Sequence, residues 1–117
     1  MTQDIIRILT QIGLEMESNY RQSFVSMLNE YDHSQDGEVS ASDFQQILQM
    51  NLSLSQLDIK ALVSHYQNYS ASIVVHTFIE NINQYIMNQN VNTSLAMAAA
   101  EFKKRYSQQK LGGINQQ

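Results

Sequence analysis

Three residue types are missing from this 117-residue chain, cysteine, proline and tryptophan, and glycine is thin, occurring four times. Without cysteine there is no disulfide, no thiolate zinc site and no cysteine nucleophile. That absence fits a reducing compartment. Without proline, and with little glycine, nothing local forbids helix anywhere, so an all-α fold is expected. No run of eighteen apolar residues exists, which argues against a transmembrane helix, while 43% hydrophobic residues suffice for one small core. Residues 1–16, MTQDIIRILTQIGLEM, carry Asp4 and no small-residue cleavage site, and do not read as a secretion signal or a mitochondrial presequence. Catalytic patterns are also lacking. There is no G-x-S-x-G, no glycine-rich phosphate loop and no H-E-x-x-H, and His33, His65 and His76 are dispersed. The chain is expected not to be an enzyme.

What is present is helical periodicity. Ile5, Ile8, Leu9, Ile12 and Met16 form one stripe, and Tyr20, Phe24, Met27, Leu28 and Tyr31 continue it. Ser18 and Asn19 are cap-type residues between the two stretches, so either two helices or one bent helix fits, with a separate N-terminal helix preferred. A further helix starts near Ala41 and carries Phe44, Ile47 and Leu48. Another follows a Ser55 cap with Asp58 in its first turn, its stripe running through Leu57 or Ile59, then Leu62, Val63 and Tyr66. After the β-branched run Ile73-Val74-Val75 comes a helix with Phe78, Ile79, Ile82, Tyr85 and Ile86. A linker, NQNVNT, leads to a last helix beginning after Thr93 or Ser94, with an apolar face of Leu95, Ala98 or Ala99, Phe102 and Tyr106. LGGINQQ ends the chain. The spacing from Val39 to Phe44 recurs from Ile73 to Phe78, a weak internal repeat of helix–loop–helix.

Residues 31–44, YDHSQDGEVSASDF, place oxygen-bearing side chains at alternate positions around a central glycine. A calcium ion takes six to eight oxygens, and a twelve-residue loop supplies them from positions 1, 3, 5, 7, 9 and 12, with glycine at 6 for the sharp turn. Setting Asp32 at position 1 puts Ser34 at 3, Asp36 at 5, Gly37 at 6, the Glu38 carbonyl at 7, Ser40 at 9 and Asp43 at 12. Val39 falls at 8, where paired loops exchange a short bridge. The flanking Tyr31 and Phe44 point to the core. The same stretch also fits a metal-free loop, because Asp and Ser hold turns well by themselves. The second loop is degenerate. Its first position is Tyr66 counting back from Phe78, or Gln67 counting forward from Ser55, so it reads as a residue short. Neither register offers a carboxylate, and no metal is expected there, only a bridge from Ile73 or Val74 to Val39.

Over residues 20–86 the ligand pattern, the glycine, the position-8 valine and the flanking aromatics resemble the EF-hand family, and the arrangement is similar to one lobe of a calmodulin-like or light-chain-like protein. The resemblance implies an EF-hand pair with a short inter-loop β-bridge plus one flanking helix at each end: residues 1–18 as the N-terminal helix, 19–88 as the pair, and 89–117 as linker, basic helix and tail. The departure is at position 12, usually Glu. Asp43 is one methylene shorter, which lowers coordination and favours magnesium over calcium. Calcium affinity on the order of 10⁻⁵ to 10⁻³ M is expected, with Ca²⁺, Mg²⁺ or no metal as the outcomes.

Six methionines, and a basic end on an acidic body, point to partners. Net charge is −4, which argues against nucleic acid, and residues 93–117 carry +3 of it against −7 for the rest. Flexible methionines line the grooves by which calmodulin-like lobes hold helices. Met27, Met50, Met87, Phe102, Lys103, Lys104 and Arg105 are the expected partner-contacting residues, although Met27 fits core filling as well. The amphipathic segment LAMAAAEFKKRY is expected to fold into the chain's own groove, to dock on a partner protein, or to lie on an anionic surface, the last being the weakest because its apolar face is small. The leading expectation is a cytoplasmic light-chain-like or adaptor subunit that binds a helix of a larger partner, of cytoskeletal or axonemal (cilium) type, with weak or absent calcium binding. The alternative is a calcium sensor whose first loop opens a hydrophobic groove and releases the C-terminal helix.

Overall fold

A computed structural model of the chain describes residues 2–16, 21–85 and 96–108. Helix α1 (Gln3–Glu15) opens on Thr2, whose hydroxyl accepts the Ile5 N–H at 3.3 Å, with Asp4 in the first turn complementing the helix dipole. Helix α2 (Arg21–Tyr31) runs into the 32–37 loop and strand β1 (Glu38–Ser40), then α3 (Ala41–Asn51). After a short linker, α4 (Gln56–Tyr66) leads through a second loop to strand β2 (Ser72–Val74) and α5 (Val75–Gln84). Residues 96–108 form a sixth helix, α6. The architecture is therefore mostly helical with one two-stranded antiparallel ladder. The proposed caps at Ser18 and Asn19, the stripe residues Tyr20, Ile86 and Leu95, Met87, the 88–93 linker, the Thr93 or Ser94 cap and the 111–117 tail lie outside the described residues.

The expected Ser55 cap is present: its hydroxyl accepts the Asp58 N–H at 3.1 Å. Helix α4 turns Ile59 and Leu62 inward and leaves Leu57 79% exposed, which decides between the two stripes the spacing allowed. The five residues of the expected stripe, Ile5, Ile8, Leu9 and Ile12 of α1 and Met16 at its C-cap, are buried, and α1 packs on α4 and α5. The centre is aromatic. Phe78 meets Phe44 edge-on at 4.8 Å, Tyr66 at 5.3 Å and Phe24 at 6.0 Å between ring centroids. Burying each of these phenylalanines contributes about 1.5–3 kcal/mol, with edge-to-face geometry adding to that. Both flanking helices belong to this same core, α6 through Ala99 and Phe102.

The two loops are joined by reciprocal bonds. β1 and β2 pair Glu38 with Val74, Val39 with Ile73 and Ser40 with Ser72. Beyond the ladder, the Val75 N–H donates to the Gly37 carbonyl at 3.0 Å, and the Ala41 N–H donates to the Ala71 carbonyl at 2.8 Å. Each helix that follows a strand thus has its first N–H satisfied by the opposite loop. This explains how α5 starts at Val75 with no side-chain cap. The accepting residues correspond: Gly37 has φ +80° and Ala71 has φ +57°. Ile73 is the residue opposite Val39, so the bridge selects Tyr66 as the counterpart of Asp32. Helix α4 also ends at Tyr66, whereas α2 ends one residue before Asp32, so the second loop is one residue shorter than the first.

Candidate functional site

The first loop is built around Asp32, the single polar side chain fully buried among the described residues. One carboxylate oxygen, Oδ1, accepts the Asp36 N–H at 3.1 Å, and Oδ2 accepts the Gly37 N–H at 3.0 Å. Asp36 in turn accepts the Glu38 N–H through Oδ1 at 3.1 Å, and the Gln35 amide donates to the Asp32 carbonyl at 2.9 Å. Ser40 caps α3 by accepting the Asp43 N–H at 3.0 Å. Ser34 is exposed, and Glu38 and Asp43 are half-buried. The loop therefore keeps its shape through its own hydrogen bonds, as Asp and Ser side chains in turns do.

Burial pushes the Asp32 carboxyl above the usual carboxylate range, outweighing the opposite pull of the Gly37 and Asp36 N–H bonds, and the neighbouring Asp36 pushes it further up. A buried carboxylate beside a second carboxylate calls for a cation. Arg105 supplies one: its guanidinium lies 3.4 Å from Asp32 Oδ2, with only 22% of its side chain exposed. The same guanidinium sits over the Phe102 ring, 5.0 Å from its centroid.

Helix α6 covers the loop as well as pairing with it. A Cβ placed on Gly37 would lie 2.8 Å from the Phe102 carbonyl oxygen and 2.9 Å from Tyr106 Cβ. Tyr106 also meets the His76 ring at 5.4 Å, and Lys103 reaches Glu80 at 3.9 Å. Burial holds the His76 imidazole below its ordinary value; Glu80 pulls the other way and Lys103 adds to the lowering.

The donor set chosen from the spacing is chemically suited to a hard cation: Asp32, Ser34, Asp36, the Glu38 carbonyl, Ser40 and Asp43 all offer oxygen. The buried Asp32 already holds a stand-in cation, the Arg105 guanidinium. In this form the cage is not gathered, for no three acidic or imidazole side chains converge among the described residues. Asp32 and Asp36 are brought together; a third is not.

The second loop has no carboxylate and is stapled by an amide instead. Asn68 Oδ1 accepts the Ser70 and Ser72 N–H groups at 2.9 and 3.0 Å, and its amide nitrogen reaches Glu38 at 3.4 Å. Counted from Tyr66, Asn68 takes position 3 of the second loop, and two residues before the Ser70-Ala71 turn is where an Asx turn belongs.

The expected partner residues are spread. Met27 is partly buried against the core and lies 2.9 Å from the Asn51 amide; Met50 is 59% exposed; Met87 lies outside the described residues. Phe102 is buried and Arg105 faces Asp32, so both engage this chain, while Lys103 pairs with Glu80 and Lys104 is exposed. No helix among the described residues is long and apolar enough to cross a membrane. The chain matches no protein-family model, no curated protein and no solved structure.

Proposed function

We propose that the chain is a non-enzymatic EF-hand-type adaptor, a light-chain-like lobe that binds an amphipathic helix of a larger, cytoskeletal or axonemal protein in the cytoplasm. The observation that carries this is the coupling of the two loops. Val39 pairs with Ile73, and the positive-φ residues Gly37 and Ala71 each accept the first N–H of the opposite helix. A loop pair of that kind, with carboxylates in only one loop, is what a lobe with a single surviving cation position requires.

Asp32, Ser34, Asp36, the Glu38 carbonyl, Ser40 and Asp43 are the residues that would hold Ca²⁺ or Mg²⁺. A bound ion would draw Asp43 toward the loop; Asp43 is a single-oxygen donor at a position where Glu gives two, so calcium affinity is weak or absent. The loop's internal hydrogen bonds support a lobe that stands without metal. Met50 supports the partner surface. It lies in the last turn of α3, and exposed Leu14 and Leu57 occupy the helix ends that meet at the 52–55 linker, where Glu15 accepts the Ser53 N–H at 3.0 Å.

The test is cross-linked purification of the full chain from its own cells, with and without a calcium chelator, beside the Asp43→Ala variant. A stoichiometric partner, joined through an amphipathic helix and retained in chelator and by Asp43→Ala, is expected. A lone monomer throughout, or a partner lost with chelator and with Asp43→Ala, contradicts the adaptor.

A further inference from the structure

The base of the first loop is occupied by a charge from the other end of the chain. Asp32 is fully buried, and burying a carboxylate is costly unless it is paired. Asp36 adds a second negative charge beside it. The cation that pairs with Asp32 is Arg105, 3.4 Å away and braced over the Phe102 ring. The loop is shaped to admit the helix that carries this arginine. At Gly37, with φ +80°, the missing side chain leaves room for the Phe102 carbonyl, and any Cβ would come within 2.8 Å of it.

We propose that Arg105 is the resident cation of the first loop, so that docking of α6 and binding of a divalent cation exclude one another. The proposal rests on the reading of residues 32–43 as an EF-hand-type loop. A divalent ion held by Asp32 and Asp36 would stand within a few ångströms of the guanidinium, and like charges at that range repel strongly in a partly buried setting. Arg105 has to leave for the ion to enter. Phe102 and Tyr106, one turn or less away on the same helix, lean on Gly37 and move with it.

The dock is built to come apart. A cleft of about 270 Å³ remains between Val25 and Asn29 of α2 and Ala98 and Glu101 of α6. The outer tie from Lys103 to Glu80 is long, at 3.9 Å, and exposed at both ends, where ion pairs contribute little. Coupling between two sites is reciprocal: whatever factor α6 docking takes from cation affinity, the cation takes from α6 docking.

The experiment compares calcium binding by calorimetry, at one fixed ionic strength, for the full chain and the variants Arg105→Gln and Lys104→Gln. Both variants remove one positive charge from neighbouring positions on α6, but only Arg105 touches the loop. Amide exchange over residues 96–108 is followed in parallel. The proposal expects Arg105→Gln to bind calcium at least about fivefold tighter than the parent, the lower end of typical coupling, with Lys104→Gln within about twofold of it. It also expects faster exchange in 96–108 in Arg105→Gln without calcium, with the core of α1 and α3–α5 still protected. Equal affinities for the two variants would overturn the proposal and leave the loop reading standing. Calcium binding in none of the three would overturn the proposal, since a loop freed of Arg105 would then still admit no ion. Binding by the parent with 96–108 still protected at saturation would overturn the exclusion alone.

Discussion

At Gly37 two demands fall on one position: a left-handed turn at φ +80° and close contact with the Phe102 carbonyl. Gly37→Ala is therefore expected to cost about 1–3 kcal/mol, read by urea unfolding, and to loosen α6 in amide exchange. The turn was legible, because a glycine in the middle of alternating oxygens has a known use. The contact was not, since it depends on a helix far along the chain. Phe78 is the residue on which Phe24, Phe44 and Tyr66 converge, so Phe78→Ala is expected to cost about 3–5 kcal/mol in the same unfolding measurement. His76 gives the pH dependence. Among the described residues its ring nitrogen Nδ1 is buried without a hydrogen-bond partner, and its folded value lies below the ordinary one. The unfolded chain then takes up the proton first, and stability falls as pH drops below the ordinary histidine value of about 6.5 and on through the lowered folded value. His76→Gln is expected to flatten that part of the stability–pH curve; an unchanged slope would mean that the imidazole is not excluded from protonation.

At the level of elements, the helices announced themselves through their stripes and caps. Ser55→Ala should cost about 0.5–2 kcal/mol by removing the cap that accepts the Asp58 N–H, and thermal unfolding would show it. Leu57 and Ile59 lie two residues, or about 200°, apart on a helix, so only one of them can join the face that packs against α1 and α3, and that one is Ile59. Likewise Ile73-Val74-Val75 read as one β-branched run, yet the strand stops at Val74. Val75 turns helical because the Gly37 carbonyl takes its N–H, a partner that lies in the other half of the chain. The one-residue difference between the loops was visible as two conflicting counts, and the Val39–Ile73 bridge resolved it by fixing the Tyr66 register while α4 ended one residue before Gln67, the other's start.

Across the whole molecule, the division of charge into an acidic body and a basic end was the sequence's one sign that the chain might meet itself. It named Arg105 as a contact residue but not Asp32 as the contact, since a charge imbalance carries no geometry. The docked α6 gives the imbalance its local meaning: Arg105 inside on Asp32, Lys103 at the rim on Glu80, Lys104 in solvent. In the proposed reading, three features combine to keep calcium affinity low: the short Asp43 at the twelfth position, a loop held by its own hydrogen bonds, and an internal cation. The direct measurement is an NMR titration of the full chain with calcium at physiological magnesium, following the Gly37 amide. The account predicts no movement of that amide until calcium passes about 10 µM, the tight end of the loop's expected range, with any later shift accompanied by loss of protection in residues 96–108. Saturation at or below about 1 µM, in the range of high-affinity sensor loops, would contradict it.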